Sequence, residues 1–183
     1  MALTVLAMVG CRSAPAPTDV PERDELVAMG LAAAEYVEAV DAVCVPPHGW
    51  RAEALKKTGD HAHQVWVSPR GDTAFGVIHF SLPLPLGHRF VLAQFLRQMR
   101  QSEGEAILLE EQWDADLHGI RFVAEGGLYR IHTNLLVRGF RGWAIYAGTR
   151  RDRPVMRGEL DLAESARETT RVGRAKNQGD SAE

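Results

Sequence analysis

The chain is short of several things, and each shortage closes off a class of explanation. Two cysteines in 183 residues are too few for a disulfide framework or a four-cysteine zinc site. No apolar run approaches the roughly 20 residues that a membrane-spanning helix needs. The formal net charge of −3 lacks the basic excess of a nucleic-acid binder, so no nucleic-acid partner is expected. Also missing are G-x-S-x-G, a P-loop, G-x-G-x-x-G after a strand, C-x-x-C and H-E-x-x-H. A hydrolase whose triad is scattered along the chain stays open, because triads are defined by geometry and not by order. What is present is ordinary for a globular chain: 45% apolar and 25% charged residues, enough for one core without a staple.

Residues 1–10 carry no charge and have the length of the apolar part of a secretory signal peptide. Cys11 follows Gly10 directly, which resembles the lipobox of bacterial lipoproteins, cut before a cysteine that becomes acylated. That resemblance implies a signal peptide over 1–10 and a lipid on Cys11. It also implies a tether over 11–21 containing Pro15, Pro17 and Pro21, and a domain held at the bacterial cell envelope outside the cytoplasm. Cys44 then has no partner within the chain and is expected as a small buried residue at a strand end.

Along the rest of the chain, period and punctuation predict the elements. Leu26, Met29, Ala33, Val37 and Val40 recur at helical spacing and predict a helix over 21–40. Strand formers over 61–68 and 72–81, joined by Pro69-Arg70-Gly71, predict a hairpin with a three-residue loop. A Leu-Pro connector leads to a helix over 88–102, followed by strands over 106–113, 120–125, 128–137 and 143–149. A basic loop over 150–157 precedes a last helix over 159–172, and 174–183 reads as a loose tail. The sum is one α+β domain over 22–173, an antiparallel β-sheet of about six to seven strands flanked by helices.

Several segments together resemble the PsbP-like family. They are Pro47-His48-Gly49-Trp50, Val67-Ser68-Pro69-Arg70-Gly71, the helix after the Leu-Pro segment, and Trp143-Ala144-Ile145-Tyr146-Ala147-Gly148 before a final helix. The resemblance covers roughly 43–173 and implies an α/β/α sandwich. It implies no functional residue, since its motifs are turn and core positions.

The histidines are the candidate chemistry. With a three-residue loop, Ser68 pairs with Asp72, which sets His63 opposite Val77 and His61 opposite His79. His61, His63 and His79 would then share one face, and three imidazoles plus water make a catalytic-type zinc arrangement. Arg70-Gly71-Asp72 is read as turn chemistry rather than a recognition tripeptide. Trp50, Trp66, Trp113 and Trp143 are expected as core or sheet-packing residues. An acidic stretch (Glu103, Glu105, Glu110, Glu111, Asp114, Asp116) and an arginine-rich one (Arg138, Arg141, Arg150, Arg151, Arg153, Arg157) suit either compensating strand edges or a bipolar surface for an anionic envelope component.

The expectation is therefore a non-catalytic, lipid-anchored envelope protein, monomeric in its domain, that docks an envelope protein partner and needs no cofactor. The first alternative is a small-ligand or metal-binding protein using the His61/His63/His79 face.

Overall fold

The computed structural model describes residues 20–173. The expected signal, the Cys11 attachment point and the 174–183 tail lie outside the described residues.

The chain folds as an α+β domain, as its patterning predicts. Its elements are α1 (Arg23–Ala28), β1 (Glu35–Val37), a 3-10 turn (Glu38–Val40), β2 (Ala42–Cys44), β3 (Arg51–Ala52), β4 (Lys56–Thr58), β5 (His61–Val67) and β6 (Thr73–Ser81). After these come α2 (His88–Glu103), β7 (Ala106–Asp114), β8 (Gly119–Gly126), β9 (Tyr129–Arg138), β10 (Arg141–Arg150), α3 (Arg157–Thr169) and β11 (Arg171–Val172). The main sheet has eight strands, more than the six to seven expected, in the order β3-β5-β6-β10-β9-β8-β7 with β4 also on β5. Strands β1, β2 and β11 form a separate small sheet.

The sheet buries both faces, and strict alternation sorts its side chains between them. On one face Trp66, Phe75, Val77, Trp143 and Ile145 pack with α3 and with the segment from Leu26 to Val45. On the other, Phe80, Ile120, Phe122, Ile131 and Leu135 pack with Val91, Leu92 and Met99 of α2. α2 lies across β7, β8 and β9. It therefore leaves the β5, β6 and β10 part of its face less covered, and that asymmetry makes the site.

The first helix is a correction. α1 stops at Ala28, and Gly30 takes a left-handed φ of 73° that turns Leu31 into the core. Ala32 donates to the Pro46 carbonyl and His48 to the Gly30 carbonyl, so the chain continues as extended structure. The alanines at 32–34 fit a helical period but carry no bulk to anchor one. Pairing of Glu35–Val37 with Ala42–Cys44 decides instead. At the other end, α3 stops at Thr169 and Arg171–Val172 pairs with β2 rather than extending the helix.

Candidate functional site

The hairpin β5–β6 is the second correction, and it separates the histidines. Ser68 N–H donates to the Thr73 carbonyl, so the loop has four residues, and the ladder sets His61 opposite Phe80, Ala62 opposite His79 and His63 opposite Ile78. The pairing is one residue away from the expected register. In an antiparallel pair that moves His79 to the opposite face from His61 and His63. The physical reason is the core: this register places Trp66 against Phe75, stacked with ring centroids 5.2 Å apart. His79 instead packs on Trp143 at 5.2 Å, with its Nε2 enclosed and without a hydrogen-bond partner. Burial lowers its pKa, with Asp41 acting in the opposite sense. Among the described residues no group of three or more His, Cys, Asp or Glu is placed to hold a metal ion.

His61 and His63 do share a face, and it is the one that α2 leaves open. Between α2 and strands β5, β6 and β10 lie two cavities, of about 310 and 540 Å³, that share Ile78, Phe95 and Gln98. The smaller is lined chiefly by apolar groups, among them Phe80, Leu82, Leu86, Phe90 and Val91, with His61 at its edge. The larger adds polar side chains: Glu53, Lys56, His63, Ser102, Tyr129 and Tyr146.

The centre of the polar cavity is a bond between strands that are not neighbours. His63 Nε2 and the Tyr146 hydroxyl lie 2.8 Å apart, although β6 runs between their strands. The ring of Tyr146 crosses β6 at Gly76, its pairing partner, where a Cβ would lie 2.6 Å from the phenol carbons. Glycine at this position is the space that the tyrosine occupies. Burial lowers the His63 pKa, Lys56 lowers it further and Glu53 acts against both, so the imidazole is held neutral. Burial likewise raises the Tyr146 pKa, aided by Glu53, and keeps the phenol proton on its oxygen. A neutral imidazole and an un-ionised phenol can each donate or accept, which suits an uncharged polar group of a ligand. Ser102 does not complete a nucleophile–base pair here, because its hydroxyl donates to the Met99 carbonyl.

No protein-family model matches the chain, and no curated protein matches it. Among solved structures, a crystal structure from Bacteroides thetaiotaomicron VPI-5482 is similar over 78% of this chain and 49% of that one, at 11% identity and a TM-score of 0.42. The chain spans about half the length of that protein, and so distant a likeness brings no functional residue to it.

The other candidates fall in several ways. Cys44 ends β2 fully buried, as expected, and burial pushes its thiol up to about 12. Asp72 of the Arg70-Gly71-Asp72 turn is buried and pairs with Arg70 at 3.3 Å. Trp66 and Trp143 are core residues and Trp50 packs on the core, but Trp113 is exposed and meets His88 edge-on at 5.0 Å. The charged stretches compensate one another in part: Arg151 reaches Glu105 at 2.7 Å, whereas Asp114 is taken by Arg121 and Arg141 by Asp41.

Tyr146, Gly76, Glu53 and Lys56 were not singled out by the sequence. One signal for them exists, a lone glycine inside a strand of large residues. Gly76→Ala should therefore expel the Tyr146 ring and lower stability by about 1–3 kcal/mol, as overpacking does. Tyr146→Phe, which keeps the ring, should lower it by only about 1 kcal/mol. Urea denaturation of the two variants checks the order; equal stability of Gly76→Ala and wild type would show that the ring does not need this space.

Proposed function

We propose that this domain binds a small amphipathic ligand in the cleft between α2 and strands β5, β6 and β10. The observation that carries the reading is the contrast between two joined cavities, one apolar and one built around the His63–Tyr146 pair. Their volumes fall within the range of roughly 300–1,000 Å³ typical of small-molecule sites. The apolar end of the ligand lies against Phe80, Leu86 and Phe90, and its polar end meets His63 and Tyr146. The role is binding rather than reaction, in a lipoprotein of the bacterial envelope attached through Cys11, with a PsbP-like sandwich as its fold. The uncharged stretch before Cys11 supports the anchor. The order of hairpin, helix, four-stranded meander and helix supports the family.

A thermal-shift screen of short amphipathic compounds, followed by calorimetric titration, tests this. Hits should bind about tenfold more weakly to His63→Ala and to Tyr146→Phe, the order of one buried hydrogen bond. Hits that bind both variants as tightly as wild type would remove the cleft from the reading. Acidification gives a further check. The His63 pKa is lower folded than unfolded, so the stability it contributes is complete above about 6.5 and is lost as pH falls toward the folded value. Ligand affinity should weaken over the same interval, and His63→Ala should flatten that dependence.

One observation favours the docking role as a second reading. β7 is the last strand of the sheet, carries a bulge between Leu108 and Glu110, and exposes Ile107, Leu108, Leu109 and Trp113. An apolar edge strand is a surface to which another strand can add. Crosslinking and pull-down from the native envelope, with Leu109→Lys as comparison, tests it; a partner retained equally by both chains would exclude the edge.

A further inference from the structure

The loop from β10 into α3 carries a pattern that neither the cleft nor the core uses. Between Arg150 and Gly158 there are four arginines and a single carboxylate, Asp152. Residues 151–158 are all exposed, including Val155 at 49% and Met156 at 43%. Arg150 engages Asp152, and Arg151 engages Glu105 and Glu125. Arg153 and Arg157, which bracket Val155 and Met156, lie within 4.0 Å of no carboxylate among the described residues, although the Arg153 charge acts on Asp152 from farther away. Burial of Val155 and Met156 against the sheet would be the ordinary fate of such side chains, and here it does not happen.

The same end of the domain adds more apolar surface. Arg151 N–H donates to the Leu128 carbonyl and Arg150 lies opposite Tyr129, so the start of β9 sits beside the loop, with Leu128 52% and Tyr129 37% exposed. Of the acids on the neighbouring elements, Glu125 pairs with Arg130, Glu103 accepts the Leu128 N–H and Glu159 has one oxygen buried, while Asp161 of α3 is exposed. α3 starts at Arg157 with no side chain capping its first N–H groups, which adds positive potential at the same place.

We infer that this end of the domain, led by Arg153, Val155, Met156 and Arg157, docks on an anionic lipid surface. The arginine head groups meet lipid phosphates while Val155 and Met156 enter the boundary between head groups and acyl chains, with Leu128 and Tyr129 beside them. Charge complementarity selects the partner: exposed apolar side chains flanked by unpaired arginines suit a negatively charged interface better than a neutral one. Tyr129 also lines the polar cavity, so this end of the domain adjoins the cleft at that residue. The inference stands on the loop alone and does not require the cleft to bind a ligand.

The full chain carrying Cys11→Ser, which cannot be acylated there, is mixed with phosphatidylglycerol–phosphatidylcholine vesicles or with phosphatidylcholine vesicles and sedimented. It should bind the first, release in high salt, and bind the second far less. Arg153→Gln with Arg157→Gln should weaken binding about 25-fold, at about fivefold for each arginine near an anionic surface. Val155→Ser with Met156→Ser should weaken it several-fold, and both variants should melt as wild type does. Failure of the chain to bind phosphatidylglycerol vesicles would overturn the inference and leave the patch to a protein partner. Binding that ignores lipid charge, or that survives both double substitutions, would overturn it equally.

Discussion

Trp143→Ala is expected to lower the unfolding free energy by about 3–5 kcal/mol, the range for emptying the site of a large buried aromatic. Trp143 is 1% exposed and stands near the middle of the sheet, paired with His79 on β6 and Leu136 on β9. It packs among Phe75, Val77 and Ile145, and its indole Nε1 donates to the Val40 carbonyl at 3.0 Å. That bond ties the sheet to the 3-10 turn, where the left-handed Asp41 (φ 45°) redirects the chain into β2. Removal of the indole thus opens a cavity and strands a buried carbonyl. Loss of midpoint in urea without a change of slope is the expected outcome. Trp143→Phe separates the two contributions, since it fills most of the space but cannot donate. A Trp143→Ala chain within about 1 kcal/mol of wild type would mean that the N-terminal segment is not held through this residue.

The contrast between the well-read and misread segments has a physical basis. Strands over 106–150 were legible because each is a short run rich in strand formers, and Gly-rich or Asp-rich turns separate them within a few residues. Local chemistry there and the final pairing agree. The hairpin at 61–81 was legible as a hairpin, but its register hangs on one loop residue. Gly71 suits a three-residue loop, yet Asp72 stays outside the ladder because its carbonyl accepts from Arg150 on the neighbouring β10. That partner is some 80 residues away in sequence and invisible to local turn rules. The cleft was half legible. His63 stood out by residue type, whereas Tyr146 and Gly76 acquire meaning only once β10 is known to lie beside β6. The 21–40 segment failed for a related reason: its helical period rests on alanines, and long-range pairing overrides weak propensity.

Arg167→Ala should cost about 3 kcal/mol, the order seen when one partner of a buried charge cluster is removed. Arg167 is 9% exposed and lies between α3 and the sheet. Its guanidinium donates to Asn134 Oδ1 at 2.6 Å, to Glu164 at 2.9 Å from Nε, and reaches Glu168 at 2.7 Å. Glu164 also meets His132 at 2.6 Å, and Arg121 bridges Glu168 to Asp114, so the network ties α3 to β7, β8 and β9. With alanine at 167, the Asn134 carbonyl, buried at 1% exposure, loses its donor and Glu164 loses its nearest positive charge. The pH dependence distinguishes this from simple loss of packing. Burial raises the Glu164 pKa, but the His132 hydrogen bond and the Arg167 charge outweigh it and leave the carboxyl below its ordinary 4.5. A depressed folded pKa contributes stability above about 4.5 that is lost as pH falls toward the folded value. Wild type should therefore lose stability across that acid interval, and Arg167→Ala, already without the charge that depresses the pKa, should lose less. Arg167→Met, which restores the stem, should recover part of the packing but none of the pH dependence. An acid limb identical in all three chains would place the depression of Glu164 on His132 alone.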